Sequence, residues 1–203
     1  MIKLLPENKY TMIMAHPDDE VIFGFGMLKH AKKIVCCSNG YIDGTGKLQT
    51  NGSKALREIG ELLGVRTNCL SYPRDYYRMG TDHNQLYYFA KKIEEQVKYD
   101  KIVFTHNMWG EYGHLDHILL NQILTSLGKI IITTDICISS ERDLSRTEWF
   151  SVKKLNLLSK IGLSEFDPVL YEQCKYIYVK HGCWTWKLNP IIEAILYEIP
   201  KQC

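Results

Sequence analysis

No stretch of this 203-residue chain approaches the ~20 consecutive apolar residues that a membrane-spanning helix needs; runs such as Ile130 to Ile132 are far shorter. Charge of one sign is also scarce. The formal net charge of +2 gives no basic stripe for nucleic acid and no patch for a membrane surface. The cysteines form no disulfide framework: Cys36, Cys37, Cys69, Cys137, Cys174, Cys183 and Cys203 are odd in number, two are adjacent, and none makes a Cys-x-x-Cys pair. Reduced thiols and a cytoplasmic location are therefore expected. Met1 to Glu7 lacks an apolar core and a small-residue cleavage site, so no secretory signal is expected. Repeats, low-complexity tracts and linkers are absent as well. With 45% apolar and 24% charged residues, the composition excludes disorder, collagen and coiled coil. Residues 1–203 are expected to form a single domain.

What the chain does have is alternation of strand-like and helix-like segments. Tyr10 to Ala15, Lys33 to Ser38, Thr67 to Tyr72, Lys101 to Thr105 and Lys129 to Thr134 read as strands. Lys129 to Thr134 shows almost no polar alternation, which predicts a strand buried on both faces. Val21 to Ala31, Ser53 to Leu63, Asn84 to Val97 and His114 to Leu127 carry apolar residues at helical spacing. Ser53 suits a helix cap and Gly64 a stop. Asn39 to Gly52 reads as a loop rich in glycine, asparagine and aspartate. Later the pattern loosens: Thr147 to Ile161 and Pro190 to Tyr197 read as helices, and Lys175 to Val179 as extended. The expected fold is α/β, a mostly parallel sheet with helices on both faces. Such sheets bind ligands beyond the carboxyl ends of their strands.

Two segments sit at that edge. Ala15-His16-Pro17-Asp18-Asp19-Glu20 directly follows the first strand. Proline and acidic residues also suit an ordinary helix start, so this segment alone decides little. The second segment, His106 to His117, follows the strand ending at Thr105 and holds three of the seven histidines. His114 and His117 are three apart at a helix start and share a face. Two imidazoles and one carboxylate make a three-ligand zinc site that keeps one position open. His16, Asp19 and His117 are the candidate ligands of one divalent metal, zinc first, with Fe2+ or Mn2+ also accepted by this donor set. Such an ion lowers the pKa of a bound water to roughly 7. Asp18 is then the candidate general base, and His114 the donor to a leaving amine or an oxyanion.

These residues resemble the zinc-dependent N-acetylglucosaminyl deacetylases of the PIG-L/LmbE type. The Ala-His-Pro-Asp-Asp-Glu stretch matches the family's first signature in full. Gly113-His114-Leu115-Asp116-His117 resembles its second, with Leu115 where proline is common. The resemblance covers about residues 8 to 135. It implies a Rossmann-like fold, His16, Asp19 and His117 as metal ligands, Asp18 as base and His114 as acid or oxyanion stabiliser. It also implies that Tyr112 helps to polarise the acetyl carbonyl. Arg57, beside Glu58 on the helix after the glycine-rich loop, is a weak substrate-binding candidate, because a solvated pair with Glu61 explains it as well.

The expected function is metal-dependent removal of an N-acetyl group from an N-acetylhexosamine-containing small molecule or glycoconjugate. The partner is then a small amino-sugar substrate; a homo-oligomer is compatible with the composition. The rivals are another N-acyl substrate, such as an antibiotic or a glycolipid, and a non-catalytic sugar- or metal-binding module. A nuclease is disfavoured by the near-neutral charge. Gly24-Phe25-Gly26 lacks the third glycine of a dinucleotide fingerprint. Cys174, His181 and Cys183 lack a fourth zinc ligand. Tyr72, Arg74, Tyr76, Tyr77 and Arg78 suit either sugar stacking or a plain surface loop. Trp184 and Trp186 suit packing.

Overall fold

A computed structural model describes residues 10–42, 48–73, 75–133, 136–138, 152–154 and 167–184. Its centre is a five-stranded sheet of β1 (Tyr10–Met14), β2 (Ala31–Ser38), β5 (Arg66–Tyr72), β6 (Ile102–Phe104) and β7 (Ile130–Ile132), in the order β5-β2-β1-β6-β7. Every pairing in it is parallel. Met12 in the central strand β1 stands opposite Ile34 on one side and Phe104 on the other.

Successive residues of a strand face opposite sides, and here they feed two separate cores. Tyr10, Met12 and Met14 pack with Ile34, Cys36 and Phe104 against α1 (Asp19–Ile22), α2 (Phe25–Leu28), α3 (Gly52–Leu63) and α7 (Pro168–Lys180). Ile13 and Ala15 pack with Val35, Cys37 and Val103 against α4 (His83–Val97) and α6 (Leu115–Ser126). The sheet thus carries helices on both faces, as the alternation implied. The strand order reverses at β1, between β2 and β6. That creates a topological switch point at the carboxyl ends of β1 and β6, where open α/β sheets place their ligands.

Local sequence explains most boundaries. Asp82 caps α4, its carboxylate accepting the N–H groups of Asn84 and Gln85 at 3.0 and 3.2 Å. Gly64 ends α3 at φ +66°, a left-handed turn that suits glycine. The start of α3 is capped from outside. Asn39, just beyond β2, accepts the Ser53 N–H at 2.7 Å through its side chain and the Gly52 N–H at 3.2 Å through its carbonyl, so Ser53 is not the cap.

Several expectations need correction. Val21 to Ala31 is not one helix: α1 and α2 are four residues each. Gly24 lies between them, and a Cβ there would stand 2.9–3.1 Å from Glu20 O, Met12 Cε and Phe104 Cε1. The loop Asn39 to Gly52 contains an antiparallel pair, β3 (Tyr41–Ile42) with β4 (Leu48–Gln49). Among the described residues β7 is an edge strand with Ile130 half exposed, not one buried on both faces. Residues 152–154, read as helical, form β9 (Val152–Lys154), which pairs with β8 (Ile136–Ile138). Lys175 to Val179, read as extended, belongs to α7, capped by Asp167 and opened by Pro168. The aromatic and β-branched residues there favour strand. Burial of Tyr171, Cys174 and Tyr178 on one face overrides that preference. Pro190 to Tyr197 and Trp186 lie outside the described residues, as does Arg74.

α3 fits tightly against the segment after β1. A Cβ on Gly52 would meet Pro17 Cγ at 2.3 Å and Asn39 O at 2.9 Å, whereas one on Gly64 would meet nothing within 4 Å. Gly52→Ala should cost about 1–3 kcal/mol through overpacking. Gly64→Ala should cost only the left-handed backbone penalty, about 1 kcal/mol. Urea midpoints of the two variants measure the difference, and equal losses would contradict the tight fit.

Candidate functional site

The sheet brings the two predicted segments together at the switch point. His16, Asp18, Asp19 and Glu20 follow β1, and all are buried. This separates them from an ordinary acidic helix start, whose carboxylates would meet water. Asp18 is 1% and Asp19 4% exposed, and α1 is a single turn. From the β6 side come His106, Glu111, His114, Asp116 and His117, also buried.

Three atoms define the centre. His16 Nδ1 lies 3.2 Å from Asp19 Oδ2 and 3.2 Å from His117 Nε2, and His117 Nε2 lies 3.3 Å from Asp19 Oδ2. A tetrahedral ion with ligands at 2.0–2.1 Å spaces them about 3.3 Å apart, so the triangle has the size of one face of such a coordination shell. The far nitrogens are turned to carboxylates. His16 Nε2 is 2.9 Å from Asp116 Oδ2, and His117 Nδ1 is 2.8 Å from Glu111 Oε2. With each ring donating through its far nitrogen, the near nitrogens turn lone pairs toward the centre. Carboxylate–histidine pairs of this kind orient metal-binding imidazoles. The donor set and its spacing fit a divalent cation such as zinc.

Other groups of donors lie within reach of a cation: His16–His114–His117, Asp19–His106–His117 and Asp75–His114–Asp116. Two of these contain atoms already engaged. His106 Nε2 receives the Ala15 N–H at 3.0 Å. Asp116 accepts the N–H groups of Asp75 and Tyr77 at 2.8 and 2.7 Å. His114 Nδ1 accepts the Asp116 N–H at 3.2 Å, which caps α6. A neutral His114 therefore carries its proton on Nε2. Its ring lies 4.6 Å from those of His16 and His117, so the proton is held beside the triangle.

Burial lowers the pKa of His16, but the charges of Asp19 and Asp116 and their hydrogen bonds outweigh it and lift the value to about 8. Burial raises Asp19, yet the charges of His117 and His16 and hydrogen bonds from His106 and His117 hold it well below the usual carboxylate range. Glu111, opposed by burial, is drawn down to about 2 by His106 and His117. For His106 two influences conflict. The carboxylates of Glu111 and Asp19 overcome burial and raise it to about 9, while the Ala15 N–H needs the Nε2 lone pair that a second proton would consume. The backbone N–H is fixed by β1, and it favours a ring protonated on Nδ1 alone.

Strain collects around the site. The non-glycine residues with positive φ among those described are Asp18 (89°), Ser71 (59°), Asp75 (61°) and Glu111 (57°). All four lie at or beyond the carboxyl ends of β1, β5 and β6. Such conformations cost about 1–3 kcal/mol each and mark functional segments.

Of the other predicted residues, Arg57 is not brought into this cluster. Its guanidinium lies 3.9 Å from Glu61 on an exposed helix face. Tyr112 is part of α5 (Gly110–Gly113), but its side chain lies outside the described residues. Tyr76 is buried, its hydroxyl donating to Asp116 O at 2.9 Å, while Arg78 is exposed beside Tyr77. His181 Nε2 pairs with Glu58 at 2.7 Å, and Cys174, His181 and Cys183 form no metal-holding group among the described residues. Cys36, Cys37, Cys69, Cys174 and Cys183 are unbridged thiols. Among the described residues, no helix is long and apolar enough to cross a membrane. Sequence reasoning left Glu111, Asp116 and His106 without roles. Their signal was the further histidine and carboxylates in the loop that carries His114 and His117.

Fold and site together define a Rossmann-like α/β protein with a buried His/Asp cluster, able to hold a metal, at the switch point of its sheet. Residues 11–127 match the PIG-L family model, described as GlcNAc-PI de-N-acetylase, and the chain belongs to that family. An uncharacterised protein of Acanthamoeba polyphaga mimivirus is 30% identical over 124 residues, 56% of this chain. The chain spans about half the length of that curated relative, 55%. Two deacetylases share the fold. One, from the biosynthesis pathway of teicoplanin and solved with teicoplanin, has a TM-score of 0.57 at 12% identity and covers 88% of each chain. The other, an antimicrobial pseudoaglycone deacetylase, has a TM-score of 0.54 at 15% identity over 88% of this chain and 82% of its own.

Glu20 gives a test of the site's burial. Desolvation raises its carboxyl to about 7, against the lowering effect of the hydrogen bond from the Tyr178 hydroxyl. Its Oε2 has no hydrogen-bond partner among the described residues. A carboxyl raised on folding adds stability that is complete below its ordinary value, 4.5, and is lost as pH rises through 7. For chelator-treated protein the loss should reach about 3 kcal/mol. Glu20→Gln should remove this pH dependence. Melting curves of both proteins from pH 4 to pH 8 check it; parallel curves would show that Glu20 does not titrate in this range.

Proposed function

We propose that the chain is a metal-dependent amide hydrolase that removes an N-acetyl group from an N-acetylhexosamine-containing small molecule or glycoconjugate. The observation that carries this reading is the triangle of His16 Nδ1, Asp19 Oδ2 and His117 Nε2, with sides of 3.2–3.3 Å and His114 packed against it. Membership of the GlcNAc-PI de-N-acetylase family supports the reaction class.

His16, Asp19 and His117 would hold the cation, with zinc best suited to two imidazoles and a carboxylate. When bound, it supplies Lewis acidity to a water molecule and to the amide carbonyl. The protein's residues then move the proton and stabilise the developing charge. Asp18, adjacent in sequence to Asp19 and held at φ 89°, takes a proton from the attacking water as general base. The amide carbon becomes tetrahedral, and the donor on His114 Nε2 stabilises the developing oxyanion. As the C–N bond breaks, the proton that Asp18 took from water passes to the departing nitrogen while His114 keeps its Nε2 proton, giving acetate and a free amino sugar. Tyr112 is assigned a second hydrogen bond to the carbonyl oxygen. Arg57, already beside Glu61, is at most a peripheral sugar contact.

The discriminating assay is acetate release from N-acetylglucosamine conjugates, with and without chelator. Zinc-restored release supports the proposal, and the absence of release across N-acetyl sugars, acylated antibiotics and glycolipids would favour a binding module. Asp18→Ala should lower kcat by about 10²–10⁴-fold while leaving one equivalent of zinc bound. His114→Ala should lower kcat to a similar degree with KM little changed. Full turnover in the Asp18 variant would remove it as the base.

A further inference from the structure

Glu111 stands out among the buried groups that this reaction does not use. It is fully buried and carries a left-handed backbone, φ 57°, a conformation that strains a residue with a side chain. Its carboxylate is shared three ways. Oε2 lies 2.8 Å from His117 Nδ1 and 3.0 Å from His106 Nδ1, and Oε1 accepts the Asn107 N–H at 3.0 Å. Asn107 answers through its side chain, whose Oδ1 accepts the Glu111 and Trp109 N–H groups at 3.0 Å. The His106 and His117 rings are stacked, with centroids 3.6 Å apart and planes 18° from parallel. On its far side His106 accepts the Ala15 N–H from the end of β1 at 3.0 Å.

We propose that Glu111 is the positioning residue of the site. It holds the proton of His117 on Nδ1, so that Nε2 keeps a lone pair for the cation, and it ties the β6 loop to β1 through His106. The inference rests on the metal-site reading above, with Glu111 acting through His117 and touching neither cation nor substrate. The Ala15 N–H makes Nε2 of His106 an acceptor, so this ring must donate through Nδ1. Glu111 Oε2 is the acceptor for that proton and for the proton of His117. A relay of four groups, Ala15 N–H, His106, Glu111 and His117, thereby fixes one tautomer in each ring. The strained φ is the conformational cost of aiming this carboxylate inward.

Glu111→Gln is the informative change, because an amide has one acceptor oxygen where the carboxylate has two. If that oxygen serves the two histidines, the NH2 group faces the Asn107 N–H. If it serves Asn107, the NH2 group faces His106 Nδ1–H, which is itself a donor, and His117 Nδ1, whose proton moves to Nε2, into the cation site. Either arrangement opposes a donor with a donor. Zinc affinity, read by competition with a chromophoric chelator, should fall by about 10–100-fold. Glu111→Gly is the control for folding: it removes the carboxylate but relieves the left-handed backbone, and it should lose zinc affinity over the same range. In the metal-free wild type at about pH 9, nitrogen-15 NMR should find the His117 proton on Nδ1. A His117 Nδ1 without a proton would overturn the proposal. So would zinc affinity within twofold of wild type in the folded variants. If wild-type protein binds no divalent cation, the metal-site reading fails by itself, and the Nδ1 measurement still decides the role of Glu111.

Discussion

The site depends on one electrostatic constraint: three electron-pair donors are held about 3 Å apart in a place that water scarcely reaches. Left alone, His16 Nδ1, Asp19 Oδ2 and His117 Nε2 would repel one another, and the lack of screening inside the protein makes that repulsion larger than in water. A positive charge at their centre turns the repulsion into attraction. A proton does this in part; the charges of Asp19 and Asp116 and their hydrogen bonds favour it on His16, whose pKa is raised despite its burial. A divalent cation does so for all three atoms together. The carboxylates of Asp116 and Glu111 behind the rings keep this arrangement from relaxing by ring rotation.

The sheet is what makes such crowding sustainable. Parallel strands buried on both faces leave few ways for the backbone of β1 to move, since Met12 is locked between Ile34 and Phe104. Loops leaving β1 and β6 therefore start from fixed points on either side of the switch in strand order. Strained residues can persist there, because the flanking elements determine the path of the chain more strongly than the local φ preference does. The tight seating of Gly52 on Pro17 continues this support on the β2 side, where Asn39 anchors α3.

Much of the fold was legible because its signals are local. Strand and helix periods and the Gly64 stop depend on a few neighbouring residues. The misread segments are those where distant packing opposed local preference. α7 is helical although Tyr176, Ile177, Tyr178 and Val179 favour strand, since only a helix buries Tyr171, Cys174 and Tyr178 together beside α1 and α3. Gly24 was legible as a glycine, but its close approach to Met12 and Phe104 was not.

At the site, the sequence by itself determined which donors are available: His16 and Asp19 three positions apart after one strand, His114 and His117 three apart after another. Chemical type and short spacing are properties of the chain alone. Only the tertiary structure decided which atoms of those residues meet, and that Glu111, Asp116 and His106 stand behind them. Those choices depend on the strand order that sets β6 beside β1. Residues a hundred positions apart acquire a fixed distance only when both strands are packed in one sheet, so no local pattern could reveal them.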